Sequence, residues 1–271
     1  MGLRVNMEKV SAVLGKSRQS YYKHRQLSQR RRSYEKVVLS HVRLGRGRQP
    51  RVGVRKLHLH LMERGVVIGR DRLFDLLRSK GLLVKPRRRY VRTTNSNHWF
   101  RKYRNLIKER EVSRPGEVMV GDITYLETQE GFCYLSLLTD VYSRKIVGYQ
   151  LSRSLSVEGS LKALEMALRG IKNRSGMIHH SDRGIQYCCN AYTDRLRKAG
   201  VRISMTEENH VYENAMAERV NGILKNEFLL GECLPSYTIA CKMVKEAVNI
   251  YNNERLHMSI NYMTPAQKFA A

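Results

Sequence analysis

No stretch of eighteen or more apolar residues occurs in this chain, so its sequence offers no segment to span a bilayer as a helix. The first residues, MGLRVNMEKVSAVLGK, lack the apolar run and the cleavage site of a secretory signal. The expectation is a cytoplasmic protein with no membrane partner. Cysteine is sparse: Cys133, Cys188, Cys189, Cys233 and Cys241 form an odd set with no CxxC pair, which argues against a disulfide framework and a zinc ribbon and leaves reduced, mostly packed thiols. No GxxxxGK[ST] loop is present, and IGRDRLF is no substitute, so nothing calls for ATP. Cys188 and Cys189 follow GIQY without a glycine-flanked elbow or a base-orienting partner, which gives little support to nucleophilic cysteine chemistry.

Acid is also in short supply. The 271 residues carry 24 Asp and Glu against 50 Lys and Arg, for a net charge of +26. The imbalance is local: residues 1–115 hold 32 basic and 7 acidic side chains, whereas residues 116–271 hold 18 and 17. A basic half with helical periodicity is suited to a polyphosphate, from which it releases counterions on binding. Low-complexity basic tails lack that periodicity. Nucleic acid is therefore the expected partner, and the near-neutral half, with 42% hydrophobic content across the chain, can build a core.

Along the basic half, MEKVSAVLGKSRQSYYKHRQ reads as a helix stopped by Gly15, a cap at Ser17 and a second helix, the outline of a helix-turn-helix over residues 1–34. Beyond the basic run QRRRS, a second such domain is expected over residues 35–90. Val54, Leu57 and Leu61 share one helix face, Gly65 breaks the pattern, and Leu73, Phe74 and Leu77 face inward from the next helix. That helix, GRDRLFDLLRSKG, would be offered to a DNA groove, with Arg70 and Arg72 near its start. Residues 91–115 are expected to hold a basic linker and a helix. The exposed stretch KPRRRYVRTTNSN, with Lys85, Arg87, Arg88 and Arg89, suits phosphates and lacks any base code. Trp99 and Phe100 would anchor a helix over FRKYRNLIKER, with a stacking role for the single Trp as the alternative.

From Glu117 the period changes. EVMVGDITYLET, GFCYLSLLTDVY and KIVGYQLS are runs rich in β-branched and aromatic residues, joined by short turns, and predict an antiparallel meander. A helix over SVEGSLKALEMALRGIKN, a strand at GMIHH, a helix at NAYTDRLRKAG, a short strand at VRISMT and two C-terminal helices follow. Hairpins first and crossovers afterwards give an α/β fold for residues 116–271, a ribonuclease-H-like mixed sheet with helices on its faces.

That topology gives meaning to the few acids. Asp122 lies mid-strand, where an ionised carboxylate is costly unless it meets solvent or a cation. Asp182 ends the strand expected to run parallel beside it, and Glu218 follows on a helix with 35 residues between the two. Three converging carboxylates suit divalent metal, and two Mg²⁺ (or Mn²⁺) ions in such a cluster serve in-line phosphoryl displacement. Asp140 sits in a turn, where local hydrogen bonding explains it. Glu227, nine positions after Glu218, falls on the opposite helix face; Lys225, seven positions on, returns to the same face at about 100° per residue. Lys225 is therefore either a phosphate ligand beside the metals or an ordinary exposed lysine. His180 shares a strand face with Asp182, so it either supports the site, contacts DNA, or is packed or solvent-facing.

GDITYL, TDVYSRKIVGY, HSDRGIQY, ENAMAERVNGILKNE and YNNERLHMSINYMTPAQ together resemble the catalytic OrfB product of insertion sequences of the IS-three family, whose core is similar to that of retroviral integrases. VGVRKLHLHLMERG and SKGL resemble that family's upstream helix-turn-helix, so the likeness covers nearly the whole chain. The resemblance implies a DDE triad of Asp122, Asp182 and Glu218, with Lys225 matching the basic residue one helical repeat further on. It also implies divalent metal, cleavage and strand transfer at terminal inverted repeats through a circular intermediate, and insertion into target DNA. As partners it implies a homo-oligomer on DNA and an upstream OrfA product or fusion, in a bacterial, nucleoid-associated setting. Met119 and Gly121 stand where members commonly carry Trp and Thr, and Glu213 replaces the Asp of the usual Asp-Asn-Ala tripeptide. Two other readings are a DNA-binding regulator of transposition with an inactive or partner-dependent core, and a ribonuclease-H-like nuclease acting on hybrids or junctions.

Overall fold

The computed structural model describes residues 7–13, 15–85, 99–108, 110–207 and 214–271. Arg87, Arg88, Arg89 and Glu213 lie outside the described residues. The chain divides into two compact units, one of Met1–Arg48 with Val52–Lys85, the other of Gln49–Arg51 with Pro86–Ala271.

The first unit is helical: α1 (Met7–Val13), α2 (Arg18–Arg48), α3 (Val54–Glu63) and α4 (Arg70–Ser79). Gly15 takes the left-handed conformation that separates α1 from α2, and the Ser17 hydroxyl accepts the Ser20 amide at 3.1 Å. The helix was expected to stop before QRRRS; instead α2 runs unbroken through it for 31 residues. Arg and Gln are good helix formers, and Val38 and Val42 anchor the second half of α2 in the core of this unit. That core joins them to Leu57 and Leu61 of α3 and to Leu73, Leu76 and Leu77 of α4. Phe74 departs from expectation: it is 37% exposed, with the Arg78 guanidinium 4.6 Å from its ring centroid, and Leu76 takes the inward place.

In the second unit the helix expected over FRKYRNLIKER does not form in its described residues. The Leu106 amide donates to the Ser204 hydroxyl at 2.8 Å, and Phe100 and Tyr103 pack against the core. A backbone donor committed to a side chain elsewhere is lost to a helical ladder. Trp99 anchors nothing; it is 86% exposed and stacks on Phe100 with centroids 4.3 Å apart.

The sheet contains β1 (Val118–Thr128), β2 (Gly131–Asp140), β3 (Ile146–Ser152), β4 (Ile178–Ser181) and β5 (Arg202–Met205) in the order β3-β2-β1-β4-β5. The first three form the antiparallel meander; β4 joins β1, and β5 joins β4, in parallel. Helices α5 (Val157–Gly170), α6 (Ile185–Cys188), α7 (Asn190–Lys198), α8 (Ala215–Glu227), α9 (Tyr237–Asn253) and α10 (Pro265–Ala270) complete the unit. This is the mixed sheet of a ribonuclease-H-like fold.

Alternation along the strands makes two cores. Leu126, Leu135, Leu137 and Leu151 bury against Val220 and Leu224 of α8 and Val244 and Tyr251 of α9. Met119, Leu138, Ile203 and Met205 bury against Leu164 and Leu168 of α5 and Tyr192 and Leu196 of α7. Helix α5 rests directly on the β3 backbone at Gly148, where an added Cβ would stand 2.1 Å from the Ala163 carbonyl oxygen. Along β3, the Asn252 side chain accepts the Ile146 amide at 2.9 Å and donates to the Ile146 carbonyl at 3.0 Å, satisfying main-chain groups at the edge of the sheet.

Candidate active site

Residues 118–121 of β1 are buried, and Asp122 is the first half-buried residue of that strand. The four residues of β4 are all buried, and Asp182 follows as the chain turns away. Gly121 pairs with Ser181. Asp122 and Asp182 are thus the next residues on neighbouring parallel strands, whose spacing is about 4.8 Å. Sequence periodicity places each acid on a strand, and the parallel pairing makes them neighbours. The turn beyond Asp182 is held by the Gly184 amide, which donates to Asp182 Oδ1 at 3.0 Å, and by Arg183, which donates to the Thr206 carbonyl at 2.7 Å.

The third acid arrives on α8. Glu218, Asn221 and Lys225 occupy positions i, i+3 and i+7, one stripe of that helix. Glu218 is exposed in its first turn. Asn221 is buried and donates to Asp122 Oδ2 at 2.6 Å, while Asn214, just before the helix, donates to the Gly121 carbonyl at 3.2 Å. These two amides lash the start of α8 to the acidic stretch of β1. The Lys225 ammonium lies 4.2 Å from the centroid of Tyr125; burial lowers its pKa, against the pull of Asp122.

The charges of the other two acids reach Asp122. Asp122 is pushed up to about 7, first by burial and then by the charge of Asp182, with Glu218 adding a smaller push. The Asn221 hydrogen bond opposes the shift. Among the described residues, no three His, Cys, Asp or Glu side chains are drawn into a preformed metal-holding cluster. The donors do fit a divalent ion: they are hard carboxylate oxygens, and the buried Asn221 Oδ1 beside them has no hydrogen-bond partner.

The competing groups have other employment. Asp140 is buried, accepting the Gly116 amide at 2.8 Å, the Ser143 amide at 2.8 Å and the Ser143 hydroxyl at 2.6 Å. Glu227 meets Arg255 in a bidentate pair at 2.8 and 2.7 Å. Burial pushes the Cys188 thiol up to about 11, so it is no nucleophile at neutral pH. His180 is wholly buried and bonds to the Ser204 hydroxyl at 2.8 Å, a packed position. His179, bonded to the Tyr192 hydroxyl at 3.0 Å, is kept neutral, its pKa pulled down to about 3 chiefly by burial.

Residues 112–210 match the family described as integrase core domain, and residues 199–265 match a second family of that description. The "Insertion element IS600 uncharacterized 31 kDa protein" of Shigella sonnei is 37% identical over 94% of this chain and 95% of its own length. The chain belongs to the IS-three family of insertion-sequence transposases. Further relatives are the "Transposase for insertion sequence element IS629" of Shigella sonnei, 34% identical over 79% of this chain and 72% of that protein, and "Transposase InsF for insertion sequence IS3A" of Escherichia coli (strain K12), 32% identical over 80% and 76%. A chain of the simian T-cell lymphotropic virus intasome, solved in complex with PP2A regulatory subunit B56 gamma, shares the fold. It aligns at a TM-score of 0.52 and 17% identity, over 81% of this chain and 71% of that one.

In this transposase Met119 is fully buried in the core beneath α5 and α7, and Gly121 leaves room for the rings behind it. A Cβ there would stand 3.0 Å from His179 Nε2 and from Leu138 Cδ2, and 3.3 Å from Tyr187 Cε1. Of the expected DNA contacts, Arg70, Arg72 and Lys85 are exposed residues of the first unit, Arg70 paired with Asp71 at 2.9 Å. Sequence reasoning missed Asn214 and Asn221. The signal for Asn221 was its place three residues after Glu218, on the stripe that ends at Lys225.

Proposed function

We propose that Asp122, Asp182 and Glu218 are the metal-holding acids through which this DDE-type polynucleotidyl transferase cuts and joins DNA at the terminal inverted repeats of its element and inserts it into target DNA. The observation carrying the assignment is the strand register: Gly121 pairs with Ser181, so Asp122 and Asp182 follow on adjacent parallel strands, and Asn221, on the Glu218 helix, bonds to Asp122. Two divalent ions, Mg²⁺ or Mn²⁺, bound by these acids would supply Lewis-acid activation of the attacking hydroxyl and charge neutralisation at the leaving oxygen. Gly184 and Asn221 orient the Asp182 and Asp122 carboxylates through their hydrogen bonds. Lys225, on the Glu218 stripe, holds a phosphate of the strand being cut, with its ammonium steadied by the Tyr125 ring. Arg70 and Arg72 at the start of α4, with Lys85, Arg87, Arg88 and Arg89, meet the phosphates of the repeat. The working form is a homo-oligomer on DNA, joined to an upstream OrfA product.

Asp122→Ala, Asp182→Ala and Glu218→Ala should each abolish cleavage and joining of labelled terminal-repeat DNA in Mg²⁺ while leaving DNA binding within a few-fold. Unchanged strand transfer in any of the three overturns the assignment. A second reading, a regulator whose core awaits a partner, draws on the lack of a preformed three-acid cluster among the described residues. It predicts DNA binding without cleavage by the unmutated chain alone, with cleavage appearing only when OrfA is fused or added.

A further inference from the structure

Among the described residues of the second unit, three tyrosines are buried: Tyr187, Tyr192 and Tyr251. The Tyr192 hydroxyl bonds to His179 at 3.0 Å, and the Tyr251 hydroxyl donates to the Arg144 carbonyl at 3.0 Å. The Tyr187 hydroxyl, out of contact with solvent, has no hydrogen-bond partner. Leaving a buried hydroxyl unpaired is costly, and phenylalanine would pack the same space without that cost. The ring itself is well held: its centroid lies 5.3 Å from that of Tyr192 and 5.8 Å from that of His179, and its edge abuts Gly121. Tyr187 sits one turn after Asp182, its amide donating to the Gly184 carbonyl at 3.0 Å while the Gly184 amide holds the Asp182 carboxylate. It thus stands between the residue before Asp122 and the turn that carries Asp182.

We propose that Tyr187 is a positioning residue of the acidic site, its hydroxyl donating into the Asp122–Asp182 pair once the acids draw together around a divalent cation. This rests on the metal-holding role assigned above to those carboxylates. The phenol remains a donor across the working pH range, because burial first, and then Tyr192 and the charges of Asp122 and Asp182, hold its pKa far above the ordinary value. A hydrogen bond from such a neighbour orients a ligating carboxylate, and its loss typically weakens metal binding by about tenfold to a hundredfold. The unpaired hydroxyl therefore marks an arrangement completed by the cation.

The test measures Mn²⁺ binding to the full chain by calorimetry, together with the melting temperature with and without Mn²⁺, for the wild type, Tyr187→Phe, Tyr192→Phe and Asp182→Asn. Tyr187→Phe should melt at or above the wild-type temperature without metal, yet bind Mn²⁺ about tenfold more weakly or worse. Tyr192→Phe, which loses the bond to His179, should melt lower without metal and bind Mn²⁺ as the wild type does. Wild-type Mn²⁺ affinity in Tyr187→Phe overturns the proposal while leaving the carboxylates as ligands, provided Asp182→Asn has lost binding. Equal binding by the wild type and Asp182→Asn overturns the carboxylate assignment, and this proposal with it.

Discussion

Asp122 carries a specific pH signature. Its pKa in the folded protein, about 7, lies above the ordinary aspartate value, so the native state holds a proton that the unfolded chain gives up. The stability this contributes is fully present below about pH 4 and is lost as pH rises through 7. Without metal, the melting temperature should therefore drop between pH 5 and 8, and Asp122→Asn should flatten this part of the profile. A divalent ion needs the carboxylate deprotonated, so Mn²⁺ affinity should climb over the same interval. A metal-free melting curve independent of Asp122 across this range would show that the acid is not buried among like charges. The identity of this residue as an acid on a strand was legible in GDITYL; its proton affinity was not, since it depends on neighbours 60 and 96 positions away. Asn221 was equally hidden, because an asparagine on a helix has no fixed employment until the opposing strand is known.

At the scale of elements, the meander was readable because period-two runs of β-branched and aromatic residues with short turns leave few other arrangements. The lead-in to the core was not, because in residues 101–108 the Leu106 amide goes to Ser204 and the Ile107 amide to the Asn105 side chain rather than to a helical ladder. Close approach and edge capping also belong to this scale. Gly148→Ala drives a methyl into the Ala163 carbonyl, so α5 must lift from β3; the loss should be about 3 kcal/mol, read as a lowered urea midpoint. Asn252→Leu leaves the amide and carbonyl of Ile146 unpaired and should cost about 2 kcal/mol by the same measurement. Neither change touches an acid of the site, so Mn²⁺ binding below the melting temperature should persist in both. Its loss in either variant would mean that the site depends on the β3 edge.

For the whole molecule, charge and fold divide along the chain. The helical unit lies within the segment carrying 32 basic against 7 acidic side chains, and the sheet lies in the segment that is nearly neutral. If about six phosphates are neutralised, DNA affinity should fall on the order of a thousandfold between 50 and 200 mM salt. Variants of the proposed acids such as Glu218→Ala should share that slope, since removing a carboxylate leaves the basic side chains in place. A flat salt profile would remove the DNA-docking role of residues 1–115. Among the described residues, no helix is long and apolar enough to cross a membrane.

The sequence by itself determined the period of each strand and most helices, the breaks at Gly15 and Gly65, the separation of charge, and which acids were spare, because these follow from local propensity and spacing. Tertiary structure alone decided the register that follows Gly121–Ser181 with Asp122 and Asp182, that α8 is tied to β1 by two asparagines, and that one buried tyrosine hydroxyl is left unpaired beside them. Those are pairings between distant segments, and burial and proton affinity acquire values only when such segments meet.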